Sequence, residues 1–139
     1  ERGLRASQTA FTRLIEREIE RGTPAARIVL AGFSQGGAMA LQTGLRYPER
    51  LAGLMVLSSY LPLAEQAAQE AAAANAGTPI FMGHGTQDSV VPYSRGAESR
   101  KRLQDLGYPV EWHEYPMPHS ICLEEVQDIG AWLRRILPV

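Results

Sequence analysis

The chain has 139 residues, of which 45% are hydrophobic, and 14 basic and 15 acidic side chains leave it with a net charge of −1. Its apolar content excludes intrinsic disorder, and its length fits one domain spanning residues 1–139 with a sizeable core. Without excess positive charge, a nucleic-acid-binding protein is not expected. The single cysteine, Cys122, cannot form an intrachain disulfide, which excludes a disulfide-stapled secreted mini-domain.

No apolar run approaches the roughly 20 residues that a membrane-spanning helix needs, so no membrane span is expected. A cytoplasmic location is the prediction. The chain begins at Glu1 rather than at a methionine, so its sequence does not show whether a targeting segment precedes it.

Helical and strand patterns alternate along the chain. Apolar residues at helical spacing predict helices at about 4–21, 37–46, 94–106 and 124–137. Short apolar runs predict strands at 27–32, 51–57, 80–82 and 110–115, and the first of these runs is typical of a strand buried on both faces. This alternation predicts an α/β fold, a parallel sheet with helices on both faces. The last helix is expected to bury an apolar stripe of Val126, Ile129, Trp132, Leu133 and Ile136.

Residues 64–76 are unusually rich in alanine, with 8 alanines in 13 positions. This composition favours a helix that lies over one face of the sheet. A mobile flap near a functional site is the alternative.

The sharpest local signal is Gly32-Phe33-Ser34-Gln35-Gly36, which contains the pattern G-x-S-x-G between a predicted strand and a predicted helix. A tight turn at this point would lift the Ser34 hydroxyl above the sheet. The helix N-terminus would also place backbone N–H groups near a developing negative charge. A phosphate-binding loop or a plain turn is the alternative, but the sequence contains neither G-x-G-x-x-G nor G-K-[ST]. The pattern therefore favours a nucleophilic serine over nucleotide binding.

A serine nucleophile needs a base, and that base needs an acid to orient it. In folds of this type the three residues follow in the order Ser, Asp or Glu, His. Asp88 lies in a loop after the third predicted strand, and His119 lies in a loop after the fourth. Because the carboxyl ends of parallel strands meet at one edge of the sheet, we expect Ser34, Asp88 and His119 to lie together.

Other residues could fill the roles of base and acid. His84 ends the third strand and is the second candidate for the base, whereas His113 lies within a strand. For the acid, Asp105 and Asp128 are read as solvated charges on helices, and Glu111 lies inside a strand. The histidines do not pair at metal-ligand spacing, so neither a metal nor a cofactor is expected.

Three segments together resemble the carboxylesterase/acyl-protein thioesterase family of α/β hydrolases. They are Ala31-Gly32-Phe33-Ser34-Gln35-Gly36-Gly37, His84-Gly85-Thr86-Gln87-Asp88, and Tyr115-Pro116-Met117 with His119. The closing segment Asp128-Ile129-Gly130-Ala131-Trp132-Leu133 is similar to bacterial members. The resemblance extends over nearly the whole chain, from about residue 4 onward.

The resemblance implies a serine hydrolase that acts on small-molecule carboxylic esters, acyl thioesters or lysophospholipids. Ser34 would then be the nucleophile, Asp88 the acid and His119 the base. The backbone N–H of Gln35 would be one donor of the oxyanion hole. A weaker correspondence gives Tyr60, Leu61 and Leu63 as part of the wall of the acyl site.

Two departures from the family pattern carry expectations. The family has glycine before the histidine where this chain has Pro118, so we expect the His119 loop to differ, because proline fixes φ and lacks an N–H. The family also begins with further strands and a loop that supplies a second oxyanion donor. We therefore expect a longer chain, or a partner chain such as a second copy in a homodimer, to cover the edge of the strand that runs from Ile28 to Gly32. A catalytically silent truncated hydrolase that serves as an interaction module is the alternative function.

Overall fold

The computed structural model describes residues 2–138. Five α-helices and four β-strands alternate along this part of the chain. The helices are α1 (Arg2–Glu20), α2 (Gln35–Gly44), α3 (Ala64–Glu70), α4 (Tyr93–Asp105) and α5 (Leu123–Ile136). The strands are β1 (Val29–Phe33), β2 (Gly53–Leu57), β3 (Ile80–Gly85) and β4 (Val110–Tyr115).

The four strands form one parallel sheet in the order β1-β2-β3-β4. Leu30 lies opposite Leu54, which lies opposite Ile80, so one layer of aliphatic side chains crosses the sheet. This architecture confirms the predicted α/β class. It also places the carboxyl ends of all four strands at one edge, where the candidate site residues follow β1, β3 and β4.

Helices pack on both faces of the sheet, as predicted. The larger core lies beneath α1–α4 and is built around Ile15, Leu41, Leu54, Ile80 and Leu103. The smaller core lies beneath α5, where Trp132 packs against Met55, Leu57 and Phe81. None of the helices within residues 2–138 combines the length and apolar character needed to cross a bilayer.

Strand β1 forms one edge of the sheet within the described residues, since it pairs only with β2. Its position at the edge leaves Ala31 and Phe33 exposed, so the expectation of burial on both faces is wrong for this strand. A groove of about 260 Å³ lies between the strand and α1, with Phe11, Ile15 and Leu30 among its lining residues. That another segment or chain covers this edge stays a prediction.

Two further expectations need correction. The alanine-rich segment is not one helix, because α3 ends at Glu70 and a short 3₁₀ turn follows at Ala73–Asn75. The chain is extended at Ala72, whose N–H donates to the Leu45 carbonyl oxygen, and this contact interrupts the helical ladder. Val126 does not join the apolar stripe of α5, since it is 53% exposed while its neighbour Glu125 faces the sheet.

Candidate active site

Ser34 lies in a strained turn between β1 and α2. Its φ of 59° and ψ of −121° are rare for a residue with a side chain, and such conformations cost about 1–3 kcal/mol. The end of β2 holds the turn in place. The N–H of Ser34 donates to the Leu57 carbonyl oxygen at 2.8 Å, and the Ser59 hydroxyl donates to the Ser34 carbonyl oxygen at 2.6 Å.

Small residues allow the turn to close. A Cβ atom at Gly32 would overlap the backbone of Gly36 and Gly37, so strand and helix approach more closely here than any side chain permits. This contact is the physical reason for the first glycine of the G-x-S-x-G pattern. Ser34 is thereby presented at the carboxyl end of β1, and its side chain is partly accessible.

The structure brings the three predicted residues together. The imidazole Nε2 of His119 lies 3.1 Å from the Ser34 Oγ, and its Nδ1 lies 2.7 Å from the Asp88 Oδ2. A nucleophile, a base and an orienting acid require this order of contacts. The imidazole can therefore accept the Ser34 proton on one nitrogen while the other donates to the carboxylate. The catalytic roles of the three residues stay a prediction.

Asp88 is held from several directions. Its side chain has no solvent exposure, and its Oδ1 accepts hydrogen bonds from the backbone N–H groups of Val90 and Val91 at 2.8 and 2.9 Å. Burial alone would raise the pKa of the carboxyl. The hydrogen bonds from His119, Val91 and Val90 outweigh burial and hold the pKa of Asp88 below its usual value. The acid is thus a preorganised carboxylate, which stabilises positive charge on the neighbouring imidazole.

The alternative bases lie elsewhere. The Nε2 of the buried His84 ring lies 2.8 Å from the Val91 carbonyl oxygen and 3.7 Å from the Asp88 carboxylate. His84 therefore packs against the Asp88 loop and stabilises it. His113 stacks on Phe81, with its Nε2 2.8 Å from the Glu111 carboxylate. Neither ring contacts Ser34 among the hydrogen bonds of the described residues.

The alternative acids also have other partners. Asp105 pairs with Lys101 at 3.2 Å on the surface of α4. Asp128 accepts a hydrogen bond of 2.7 Å from the Tyr115 hydroxyl, so it is less solvated than a surface charge on a helix. Glu111 contacts His113 and Arg135. Asp88 is therefore the carboxylate that the structure places on His119.

Pro118 does not keep His119 from the other two residues. Ser34, Ser58 and Leu63 are the non-glycine residues with positive φ in the described part of the chain, and position 118 is not among them. The His119 ring also contacts the Phe33 ring, with 4.7 Å between the ring centroids. The loop with proline thus still delivers the imidazole to Ser34.

Gln35 is the first residue of α2, so its backbone N–H has no carbonyl partner within the helix. The N-terminus of α2 is also the positive end of the helix dipole, and it follows Ser34 directly. Beside it lies a groove of about 390 Å³. The groove is lined by Gly3, Leu4, Ser7, Gln35, Met39 and Tyr60.

The three candidate wall residues separate in the structure. Tyr60 lines the groove beside Gln35, and the Arg95 guanidinium stacks on its ring at 3.7 Å. Leu61 instead packs into the core, because its backbone N–H is tied to the Ser99 hydroxyl at 2.9 Å. Leu63 lines a different groove. Of the three, only Tyr60 is placed to contact a substrate at Ser34.

Sequence reasoning did not identify two polar side chains near the site. Ser59 fixes the Ser34 carbonyl, and its only sequence signal is a serine pair at the end of an apolar strand. Glu125 lies in the first turn of α5 and is completely buried. From the sequence alone, an acidic residue in the first turn of a helix is expected to be exposed to solvent. Within residues 2–138, no group of three or more His, Cys, Asp or Glu side chains is arranged to hold a metal ion.

Comparison with known proteins agrees with this fold. A family model described as phospholipase/carboxylesterase matches residues 1–137. Acyl-protein thioesterase 1 of Neurospora crassa is 48% identical over 141 residues, which cover 99% of this chain and 58% of that protein. Acyl-protein thioesterase 1 of Gibberella zeae is 45% identical and is covered to 59%. The crystal structure of Arabidopsis thaliana SOBER1 superposes with a TM-score of 0.94 at 32% identity, covering 99% of this chain and 66% of that one.

The fold is that of an α/β hydrolase. The chain belongs to the phospholipase/carboxylesterase family, which confirms the resemblance inferred from its motifs. It spans about three fifths of the length of the curated relatives it matches.

Proposed function

We propose that the protein is a serine hydrolase that cleaves carboxylic esters or acyl thioesters through a covalent acyl-enzyme. The observation that carries this proposal is the continuous contact from Ser34 through His119 to Asp88, with distances of 3.1 and 2.7 Å. The names of the two fungal relatives support the thioester side of the proposal.

In the first half of the reaction, His119 Nε2 takes the proton of Ser34 as its Oγ attacks the carbonyl carbon of the substrate. Asp88 keeps the imidazole in the tautomer with Nδ1 protonated and stabilises the imidazolium that forms. The imidazolium then gives its proton to the leaving alcohol or thiol. In the second half, His119 deprotonates a water molecule that attacks the acyl carbonyl, and the imidazolium then returns the proton to Ser34 Oγ as the carboxylic acid leaves.

Negative charge develops on the carbonyl oxygen during both attacks. The Gln35 N–H at the start of α2 would donate to this oxygen, and removing one such donor typically costs 10²- to 10³-fold in rate. The family resemblance implies that a second donor comes from a further loop. Without that donor both attacks would be slow, and with an activated leaving group such as p-nitrophenolate acylation is still expected to be faster than deacylation.

The groove beside Gln35 is where an acyl chain attached to Ser34 would lie. Leu4, Met39 and Tyr60 give it apolar surface, and Ser7 adds a hydroxyl at one wall. The lining presents polar and apolar surface in about equal parts, which suits a small acyl group with its polar carbonyl at one end. The proposed substrates are therefore small molecules with an acyl ester or thioester.

The test is a pre-steady-state assay with p-nitrophenyl esters and matching acyl thioesters. The proposal predicts a burst of released leaving group that approaches one equivalent of protein, followed by slow turnover. Ser34→Ala is expected to abolish the burst, and His119→Ala to slow it by at least 10³-fold. Ser89→Ala is the matched control, because Ser89 is an exposed serine next to the acid and outside these contacts.

A folded protein that gives no burst with any ester or thioester would contradict the proposal and favour the silent interaction module. A burst that survives in Ser34→Ala would assign the nucleophile to another residue. The ratio of burst rates between ester and thioester of one acyl group then decides which bond is preferred.

A further inference from the structure

Glu125 is a buried acid to which the proposed mechanism gives no role. The residue has 0% exposure, and neither carboxyl oxygen has a hydrogen-bond partner among the described residues. Such a group is costly to bury when charged and much less so when neutral. Burial, with the nearby Asp128 carboxylate as a smaller contribution, raises the pKa of Glu125 to about 7.

The carboxyl sits directly on β3. A Cβ atom at Gly83 would overlap the Glu125 Oε2, so any other residue at this point of the strand would force the carboxyl to move. Gly83 is the strand residue whose carbonyl oxygen accepts the Ser58 N–H at 2.8 Å. The first turn of α5 is thus seated where the ends of β2 and β3 meet.

This seat is close in the chain to both loops of the candidate active site. β3 continues into the Asp88 loop, and the residues that lead into α5 carry His119. Two backbone hydrogen bonds already tie these loops together, from Thr86 to the Tyr115 carbonyl at 2.8 Å and from Gln87 to the Met117 carbonyl at 3.1 Å. Both bonds lie before His119 in the chain, whereas Glu125 anchors the chain after it.

The ionisable groups around Glu125 come from two elements. On α5, Asp128 disfavours its ionisation, and Cys122 caps the helix one turn earlier. On β4, His113 favours ionisation, while Tyr115 hydrogen-bonds Asp128 rather than Glu125. The contacting residue on β3 is glycine and brings no charge. An ionised Glu125 would therefore lack a direct cationic partner, and it would draw in water or move away from Gly83.

We propose that Glu125 is a positioning residue for His119: its neutral carboxylic acid seats the start of α5 on β3 and so fixes the imidazole beside Ser34. This inference rests on the proposed function, since it concerns the same serine. Ionisation of the carboxyl loosens the seat, so that the protein reacts well only in the fraction of molecules in which Glu125 is neutral. Glu125→Gln keeps the shape and a neutral hydrogen-bonding group but removes the ionisation.

The test is the rate at which a fluorophosphonate probe labels Ser34 in the protein between pH 6 and pH 8.5. Rates of the parent protein are divided by those of Glu125→Gln, so that any pH dependence common to both cancels. One pH unit above the ionisation of Glu125, about one molecule in ten keeps the neutral acid. The ratio is therefore expected to fall about tenfold between pH 6 and pH 8. Glu124→Gln, one residue earlier and exposed, should show no such fall relative to the parent.

Circular dichroism at each pH establishes that the folded fraction is unchanged over the range used. A ratio that stays flat while both proteins label Ser34 overturns the positioning role and leaves the proposed function standing. Absence of labelling in every variant at every pH instead contradicts the proposed function. As a second measurement, Gly83→Ala should displace the carboxyl and lower the labelling rate at pH 6 as well.

Discussion

The backbone of Gly36 occupies the space that a Cβ atom on Gly32 would need. This contact brings β1 and α2 together around Ser34. Gly32→Ala is expected to destabilise the protein by about 3 kcal/mol or more, because the obstacle is backbone and not a flexible side chain. Chemical denaturation measures the loss.

Gly36→Ala is the matched control, since a Cβ atom there would meet nothing within 4 Å. Alanine is the better helix former by about 0.5–1 kcal/mol, so this variant should be as stable as the parent or slightly more stable. Equal stability of the two variants would contradict the close-approach explanation of the motif.

Asp88→Asn tests how the acid acts on His119. The asparagine oxygen can still accept the Val90 and Val91 N–H groups, so the loop should keep its shape. Its amide nitrogen would instead face His119 Nδ1 and favour the wrong imidazole tautomer. The acylation rate should fall about 10³- to 10⁴-fold at unchanged stability. A drop below tenfold would mean that Asp88 does not orient the base.

Much of this arrangement could be predicted from local patterns. The strand and helix periods gave the element order, and the G-x-S-x-G turn together with Asp88 and His119 at strand ends indicated where the site lies. The element order and the strand-end turns are set by residues that are close together in the sequence. Burial of Glu125 depends on the approach of α5 to Gly83, a contact between distant segments that the pattern of an acidic first helical turn does not reveal.

The same reason explains the less accurate predictions. Leu61 and Leu63 have the composition of a pocket wall, but a hydrogen bond from the Leu61 N–H to Ser99 on α4 turns Leu61 into the core. Leu63 lines a separate groove. The alanine-rich segment has helical propensity throughout. It breaks after α3 because Ala72 is extended and donates its N–H to the Leu45 carbonyl oxygen. In the turn that follows, the Asn75 side chain donates to the Tyr47 carbonyl and accepts the Leu51 N–H.

Glu125 should make stability depend on pH. Its pKa is about 7 in the folded protein and near 4.5 in the unfolded chain. Between these values the folded state holds a proton that the unfolded state has lost, so the free energy of unfolding falls as pH rises through this window. At 1.36 kcal/mol per pKa unit the full loss is about 3 kcal/mol. Urea denaturation at pH 5 and pH 8 measures it.

Glu125→Gln should remove most of this loss, so that the variant is more stable than the parent at pH 8 and similar to it at pH 5. Glu124→Gln, on the exposed side of the same turn, should retain the parent's pH dependence. If Glu125→Gln and the parent lose stability equally between the two pH values, Glu125 is not the buried proton-binding group described above.

Tyr60 should set the affinity for the acyl group, because it lines the groove next to Gln35. Tyr60→Ala is expected to raise KM for longer acyl esters by about tenfold, which corresponds to about 1.4 kcal/mol of lost apolar contact. Leu63→Ala is the control, since Leu63 lines another groove. An equal effect of both variants across a chain-length series would place the acyl group elsewhere.

Covalent labelling of Ser34 tests the central claim most directly. The protein is treated with a fluorophosphonate probe and digested, and the modified peptide is sequenced by mass spectrometry. We predict one adduct per chain on Ser34, lost in Ser34→Ala and at least 10³-fold slower to form in His119→Ala. A folded protein that leaves Ser34 unlabelled, or that labels equally fast without His119, would contradict the account.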